Sequence, residues 1–142
     1  MTGDKTSVVL FDMDGVLLEG HANDTAGYEA GLARTLEEYD LAASDAEWAA
    51  LAGYEYDRPF VEACEAIGVD PVAFYDTRER HSERWFASRV ESGTRTRYAD
   101  VEALSELADH HQLGLVSNNY DAVVRAVVDH HHPPQFPFVR GP

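Results

Sequence analysis

One cysteine and one lysine are all that this chain of 142 residues contains of either type. Cys64 alone excludes a disulfide framework and any metal knuckle built from several cysteines. Lys5 is the single lysine, and the other ten basic residues are arginines. Basic residues number 11 against 26 acidic ones, so the formal net charge is −15. That surplus repels phosphate backbones and anionic bilayers, which excludes nucleic acid and membrane surfaces as partners. No apolar run approaches the roughly 18 residues needed to span a bilayer. The polar start, Met1 to Ser7, lacks the apolar core of a secretory signal. A soluble cytoplasmic protein is the expectation.

What is present is enough for a core. Apolar residues make up 44% and aromatics 11%, and a chain near this size buries roughly 70% of its unfolded surface. One domain, or one domain carrying an insert, fits that length. Val8-Val9-Leu10-Phe11 is a short apolar run read as a buried parallel strand. From 23 to 92 the signals are helical. Asn23 or Asp24 caps a helix with Leu32, Leu36 and Tyr39 on its apolar face. Ser44 and Glu47 have capping-box spacing ahead of Trp48 and Leu51. Asp57 precedes Pro59 and the helical repeat Phe60, Cys64 and Ile67, which Gly68 stops. Asp70-Pro71 opens another helix carrying Phe74, Trp85 and Phe86. The pattern then returns to α/β. Asp100 caps a helix with Val101, Leu104 and Leu107; Leu113 to Val116 reads as a strand ending at Ser117; Asp121 to about His130 reads as a helix; and Phe136 to Val139 begins a third strand.

The chemistry concentrates in Asp12-Met13-Asp14-Gly15. Two carboxylates lie two residues apart just past an apolar strand, where ligands of open α/β sheets bind. In extended chain both point the same way. Such a pair can bind a hard divalent cation, or divide into nucleophile and general acid/base. Gly15 lets the backbone turn sharply and brings main-chain amides toward a ligand.

Asp12-x-Asp14-Gly15-x-Leu17 resembles the first motif of the haloacid dehalogenase superfamily, and Leu115-Val116-Ser117-Asn118-Asn119 resembles the second. Arg97-Tyr98-Ala99-Asp100-Val101 resembles the lead-in to the helix before that second strand. The resemblance implies an α/β fold: a Rossmann-like parallel-sheet core in residues 1–18 and 93–142, incomplete at its C-terminus, with an inserted α-helical cap in 19–92. It also implies Mg2+-dependent hydrolysis of a small phosphorylated metabolite through an aspartyl-phosphate. Asp12 is then the nucleophile, and Asp14 the acid and base. Mg2+ sits on the Asp12 carboxylate and the Asp14 main-chain carbonyl. Ser117, Asn118 and the turn at Gly15 hold the phosphoryl oxygens. Phosphoryl transfer is mostly positioning and charge neutralisation, so the parts make physical sense. An aspartate at position 14 points to a phosphatase or a phosphomutase rather than a dehalogenase. The lysine-poor, acid-rich composition is similar to that of haloarchaeal proteins, whose charge is screened at high salt.

Two further motifs of the superfamily, a basic residue and a final acidic pair, are expected beyond 136–139. Lys5 comes before the nucleophile, Arg140 sits too close to the third strand, and Asp121 and Asp129 lie on the wrong helix. The chain therefore corresponds to about the first two-thirds of a member and is expected to be weakly active, or a remnant that binds phosphate or a partner without turnover. Oligomeric state is left open. Adjacent histidines at 130–132 point about 100° apart on a helix and cannot converge on one ion; a helix C-terminus favours them by its dipole. Cys64, Trp48, Trp85 and Phe86 read as core. Glu19, His21 and Arg58 are candidates to touch substrate.

Overall fold

The computed structural model describes residues 7–19, 25–131 and 138–140. Lys5, His21, the cap at Asn23 or Asp24, and the histidine and proline run at 132–134 lie outside the described residues, as does the start of the third strand at 136–137. Strand β1 (Val8–Phe11) is followed by helices α1 (Thr25–Glu38), α2 (Asp45–Leu51), α3 (Arg58–Ile67) and α4 (Pro71–Glu91). A 3-10 turn, Ala99–Ala103, runs into α5 (Leu104–His110), and then β2 (Gln112–Val116), α6 (Asp121–His131) and β3 (Phe138–Arg140) complete the order. The chain divides into two compact units, 1–22 with 87–142, and 23–86.

In the first unit the three strands form a parallel sheet in the order β1-β2-β3. Val9 pairs with Leu113 and Phe11 with Leu115, and Leu113 and Leu115 are buried. The alternate residues behave differently from the sequence expectation. Val8 is 52% and Leu10 58% exposed, so β1 is half-exposed rather than buried on both faces. Parallel sheets bury both faces only where helices cover both, and here the described residues cover one. Asp100 also departs from expectation. It lies inside the 3-10 turn, and Tyr98, with no side-chain cap bond, precedes it. Apolar residues of α6, Val123, Val124 and Val127, are buried at helical spacing.

The second unit follows its local signals closely. Ser44 caps α2, with its hydroxyl and the Glu47 carboxylate making the reciprocal pair of a capping box. The Asp57 side chain accepts the Phe60 N–H at 3.0 Å. Gly68 ends α3 at φ 79°, a left-handed conformation that a glycine adopts without penalty. Leu32, Leu36, Leu51, Phe60, Cys64 and Phe74 make the core. Trp48 and Trp85 are half-buried, with Trp85 on an open groove between α1 and α4, while Phe86 is buried. Helices α1 and α4 approach so closely that a Cβ on Gly31 would fall 2.1 Å from Ser82 Oγ and 2.9 Å from the Arg78 carbonyl.

Arg78 is fully buried in this unit. Its guanidinium donates to the carbonyls of Leu51 (2.7 Å), Gly53 and Tyr54 (3.5 Å), and pairs with Glu79 at 2.8 Å. The rings of Tyr75, Phe60 and Tyr28 lie 4.6, 5.2 and 5.9 Å from its Cζ. Helix ends leave unsatisfied carbonyls, and this one cation serves those at the end of α2. Burial pushes the Cys64 thiol up to about 11, against the opposing pull of Arg78.

Candidate active site

The carboxyl ends of β1 and β2 lie side by side, since Phe11 pairs with Leu115 in parallel register. Asp12 thus follows one strand and Ser117 the other at the same end of the sheet. An open cavity of about 420 Å3 is lined by Leu10, Phe11, Asp12, Val116, Ser117 and Asn118. Asp12 is exposed, and one of its oxygens accepts the Met13 N–H at 2.7 Å. Met13 between the two aspartates is fully buried. Its carbonyl gathers the N–H groups of Leu17 (2.9 Å) and Leu18 (3.0 Å), which fastens the loop. Gly15 has φ 72°, and a Cβ there would meet nothing within 4 Å, so the position asks for glycine by conformation and not by space.

Asp14 is held from two sides. Arg95 Nη2 donates to its Oδ1 at 2.5 Å, and Asn119 Nδ2 donates to its Oδ2 at 3.1 Å. Ser117 is 7% exposed and its Oγ accepts the Asn119 N–H at 3.0 Å. A hydroxyl that accepts one bond still has a proton to donate. Asn118 is exposed on the cavity. Asn119 bonds in two directions. Its side-chain oxygen accepts the Tyr120 N–H at 2.9 Å while its amide reaches Asp14.

Arg95 was not among the residues picked out by sequence. It lies 81 positions from Asp14, and no local pattern marks it. Long-range pairing of the chain's two crossings brings it in. Leu18 and Arg97 form an antiparallel bridge, Glu19 N–H donates to Thr96 O at 2.8 Å, and Tyr98 N–H donates to Leu17 O at 3.0 Å. Glu19 belongs to this pairing, its carboxylate accepting the Thr96 hydroxyl at 3.0 Å. Arg58 is on α3 in the helical unit, in an exposed pair with Glu62 at 2.7 Å. Asp121 opens α6 and pairs with Arg125 at 2.8 Å.

Among the described residues no group of three His, Cys, Asp or Glu side chains converges as a metal site. The oxygen donors at hand are the Asp12 carboxylate and the main-chain carbonyl of Asp14, whose side-chain oxygens are engaged by Arg95 and Asn119. Mg2+ keeps several waters and is commonly held by one or two carboxylates plus substrate phosphate, so this sparse, all-oxygen donor set fits it.

No protein-family model matches the sequence, and no curated protein matches it. Solved structures do match. A candidate β-phosphoglucomutase from Thermotoga maritima superposes with a TM-score of 0.51 at 17% identity, over 95% of this chain and 61% of the other. A predicted phosphoglycolate phosphatase from Haemophilus somnus 129PT gives 0.51 at 18%, over 95% and 61%. A 2-haloacid dehalogenase from Pseudomonas syringae pv. tomato DC3000 gives 0.51 at 20%, over 95% and 63%. At such identities the likeness speaks for the fold. The chain has the Rossmann-like α/β fold of the haloacid dehalogenase-like proteins, and spans about three-fifths of the length of the structures it matches.

Proposed function

We propose that this site hydrolyses small phosphate monoesters through a phosphoryl group carried on Asp12. The observation that supports the reading is the division of labour between two carboxylates at the end of β1. Asp12 opens on the same cavity as Ser117 and Asn118, while Asp14 is fixed by Arg95 and Asn119. One Asp12 oxygen accepts the Met13 N–H, and the carboxylate attacks phosphorus. An Asp12 oxygen–phosphorus bond forms, the ester P–O bond breaks, and the leaving oxygen takes a proton from Asp14. Water then attacks phosphorus and gives its proton to Asp14. The Asp12–phosphorus bond breaks and inorganic phosphate departs. Ser117 donates its hydroxyl and Asn118 its amide to the phosphoryl oxygens. The amides of the Gly15 turn, expected from the sequence to join them, instead donate within the loop, Gly15 N–H to the Leu18 carbonyl at 2.9 Å and Leu17 N–H to the Met13 carbonyl at 2.9 Å. The Asp12 carboxylate and the Asp14 carbonyl would hold a Mg2+, which supplies positive charge between two anions that otherwise repel.

The test is release of p-nitrophenolate from p-nitrophenyl phosphate with Mg2+ in molar KCl, where charges more than about 3 Å apart are screened. Turnover is expected in the native chain and absent both in Asp12→Asn and with the metal chelated. Turnover that survives Asp12→Asn removes the covalent mechanism. A folded chain that binds inorganic phosphate without turnover replaces hydrolysis with binding.

A further inference from the structure

We infer that Arg95 positions Asp14 for its part in catalysis, an assignment that rests on the phosphatase reading above. The pair is among the least exposed ion pairs in the described chain, with the Arg95 and Asp14 side chains 11% and 14% accessible. Arg95 is also fixed along a second edge, its Nε donating to the Glu19 carbonyl at 3.1 Å. A guanidinium held at two edges presents its remaining donors in a set direction, which a lysine ammonium on a flexible stem cannot reproduce. With Asn119 on Oδ2, each oxygen of Asp14 has its own donor, and the plane of the carboxylate is set.

The ion pair is not needed to close the connector that carries it. Three other bonds already do so: Glu19 N–H to Thr96 O, Tyr98 N–H to Leu17 O, and the Thr96 hydroxyl to the Glu19 carboxylate. What Arg95 adds is aimed at Asp14. A proton-transfer group must sit within hydrogen-bond reach of the atom it serves, and a displacement of about 1 Å can cost about 100-fold in rate.

The experiment compares Arg95→Gln and Arg95→Lys with the native chain on p-nitrophenyl phosphate. p-Nitrophenolate leaves as a stable anion and needs little help from an acid. Phosphorylation of Asp12 therefore proceeds without Asp14, and only the attack of water feels its misplacement. Arg95→Gln is expected to give a burst of p-nitrophenolate near one equivalent, followed by a steady rate lowered about 10- to 100-fold. KM should stay within about two-fold, and Arg95→Lys should recover part of the steady rate. A second readout needs no turnover: the Asn119 side-chain amide resonances should shift in Arg95→Gln as Asp14 reorients. The positioning role is overturned by a steady rate within about two-fold of native, by equal loss of burst and steady phases, or by unmoved Asn119 resonances. If the native chain releases no p-nitrophenolate, or Asp12→Asn releases as much, the phosphatase reading fails and the catalytic role falls with it. The amide resonances then still decide whether Arg95 orients Asp14.

Discussion

Replacing Arg78 should unfold the helical unit at a much lower denaturant concentration. The guanidinium is wholly buried and serves the carbonyls of Leu51, Gly53 and Tyr54. Arg78→Ala leaves two closely bonded carbonyls without a charged donor, at about 1.5 kcal/mol each. Loss of the stack against Tyr75 and Phe60, at 4.6 and 5.2 Å, adds about 1 kcal/mol. The expected destabilisation is therefore about 4 kcal/mol, a large part of the roughly 5–15 kcal/mol of a typical domain. Both tryptophans of the chain, Trp48 and Trp85, lie in this unit, so intrinsic fluorescence reports its unfolding selectively. At an m-value of about 2 kcal/mol/M the urea midpoint should fall by about 2 M. Arg78→Met restores most of the volume but none of the donors and should resemble alanine. Arg78→Lys keeps a charge without the planar fork and should lose about half as much. A midpoint within about 0.5 M of native for Arg78→Ala would refute the argument, and native stability in Arg78→Met would assign the effect to packing.

Two other expectations concern the same unit. Gly31→Ala drives a methyl into Ser82 Oγ and the Arg78 carbonyl and should cost about 1–3 kcal/mol by urea unfolding. Ser82→Ala, which removes a buried hydroxyl without a hydrogen-bond partner among the described residues, should be neutral or stabilising and should relieve part of the Gly31→Ala loss. Cys64, fully buried with its thiol pushed up to about 11 by burial, should react with a disulfide reagent far more slowly than in the urea-unfolded chain. The unfolded thiol gives up its proton first, near about 8.5. The thiol's contribution to stability is thus complete below that pH and is lost as pH rises toward 11. Cys64→Ala should flatten the fall in urea midpoint over this range, and an unchanged slope would remove the thiol as its cause.

The parts of this fold that could be read in advance are those written within a few residues of themselves. Ser44 with Glu47, Asp57 ahead of Phe60, and Gly68 after Ile67 are local devices, and each forms as the spacing dictates. The positions of Asp12, Asp14 and Ser117 just past the strand ends were legible for a related reason: an apolar strand fixes where its carboxyl end lies. Distance in sequence hid the rest. Arg95 reaches Asp14 only because residues 17–19 and 95–98 pair, and nothing local to Asn119 marks its bond to Asp14, 105 positions away. Arg78 reads as a polar residue on a polar helix, and nothing around it announces three carbonyls from another segment. The exposure of Val8 and Leu10 was missed because apolarity predicts a wish for burial, whereas burial itself depends on what else covers the sheet.

The bridged crossings have a consequence for how such a chain can change over generations. Residues 19 and 95 are 76 positions apart, yet the main chain leaves and re-enters at one antiparallel step. The bonds at Leu17, Glu19, Thr96 and Tyr98 keep the two ends of the excursion at a fixed spacing. Closing a loop costs only about 0.6 kcal/mol more for each doubling of its length. The junction is accordingly a socket. A longer excursion, a shorter one, or an unrelated helical hairpin with the same end spacing closes there at little difference in entropic cost.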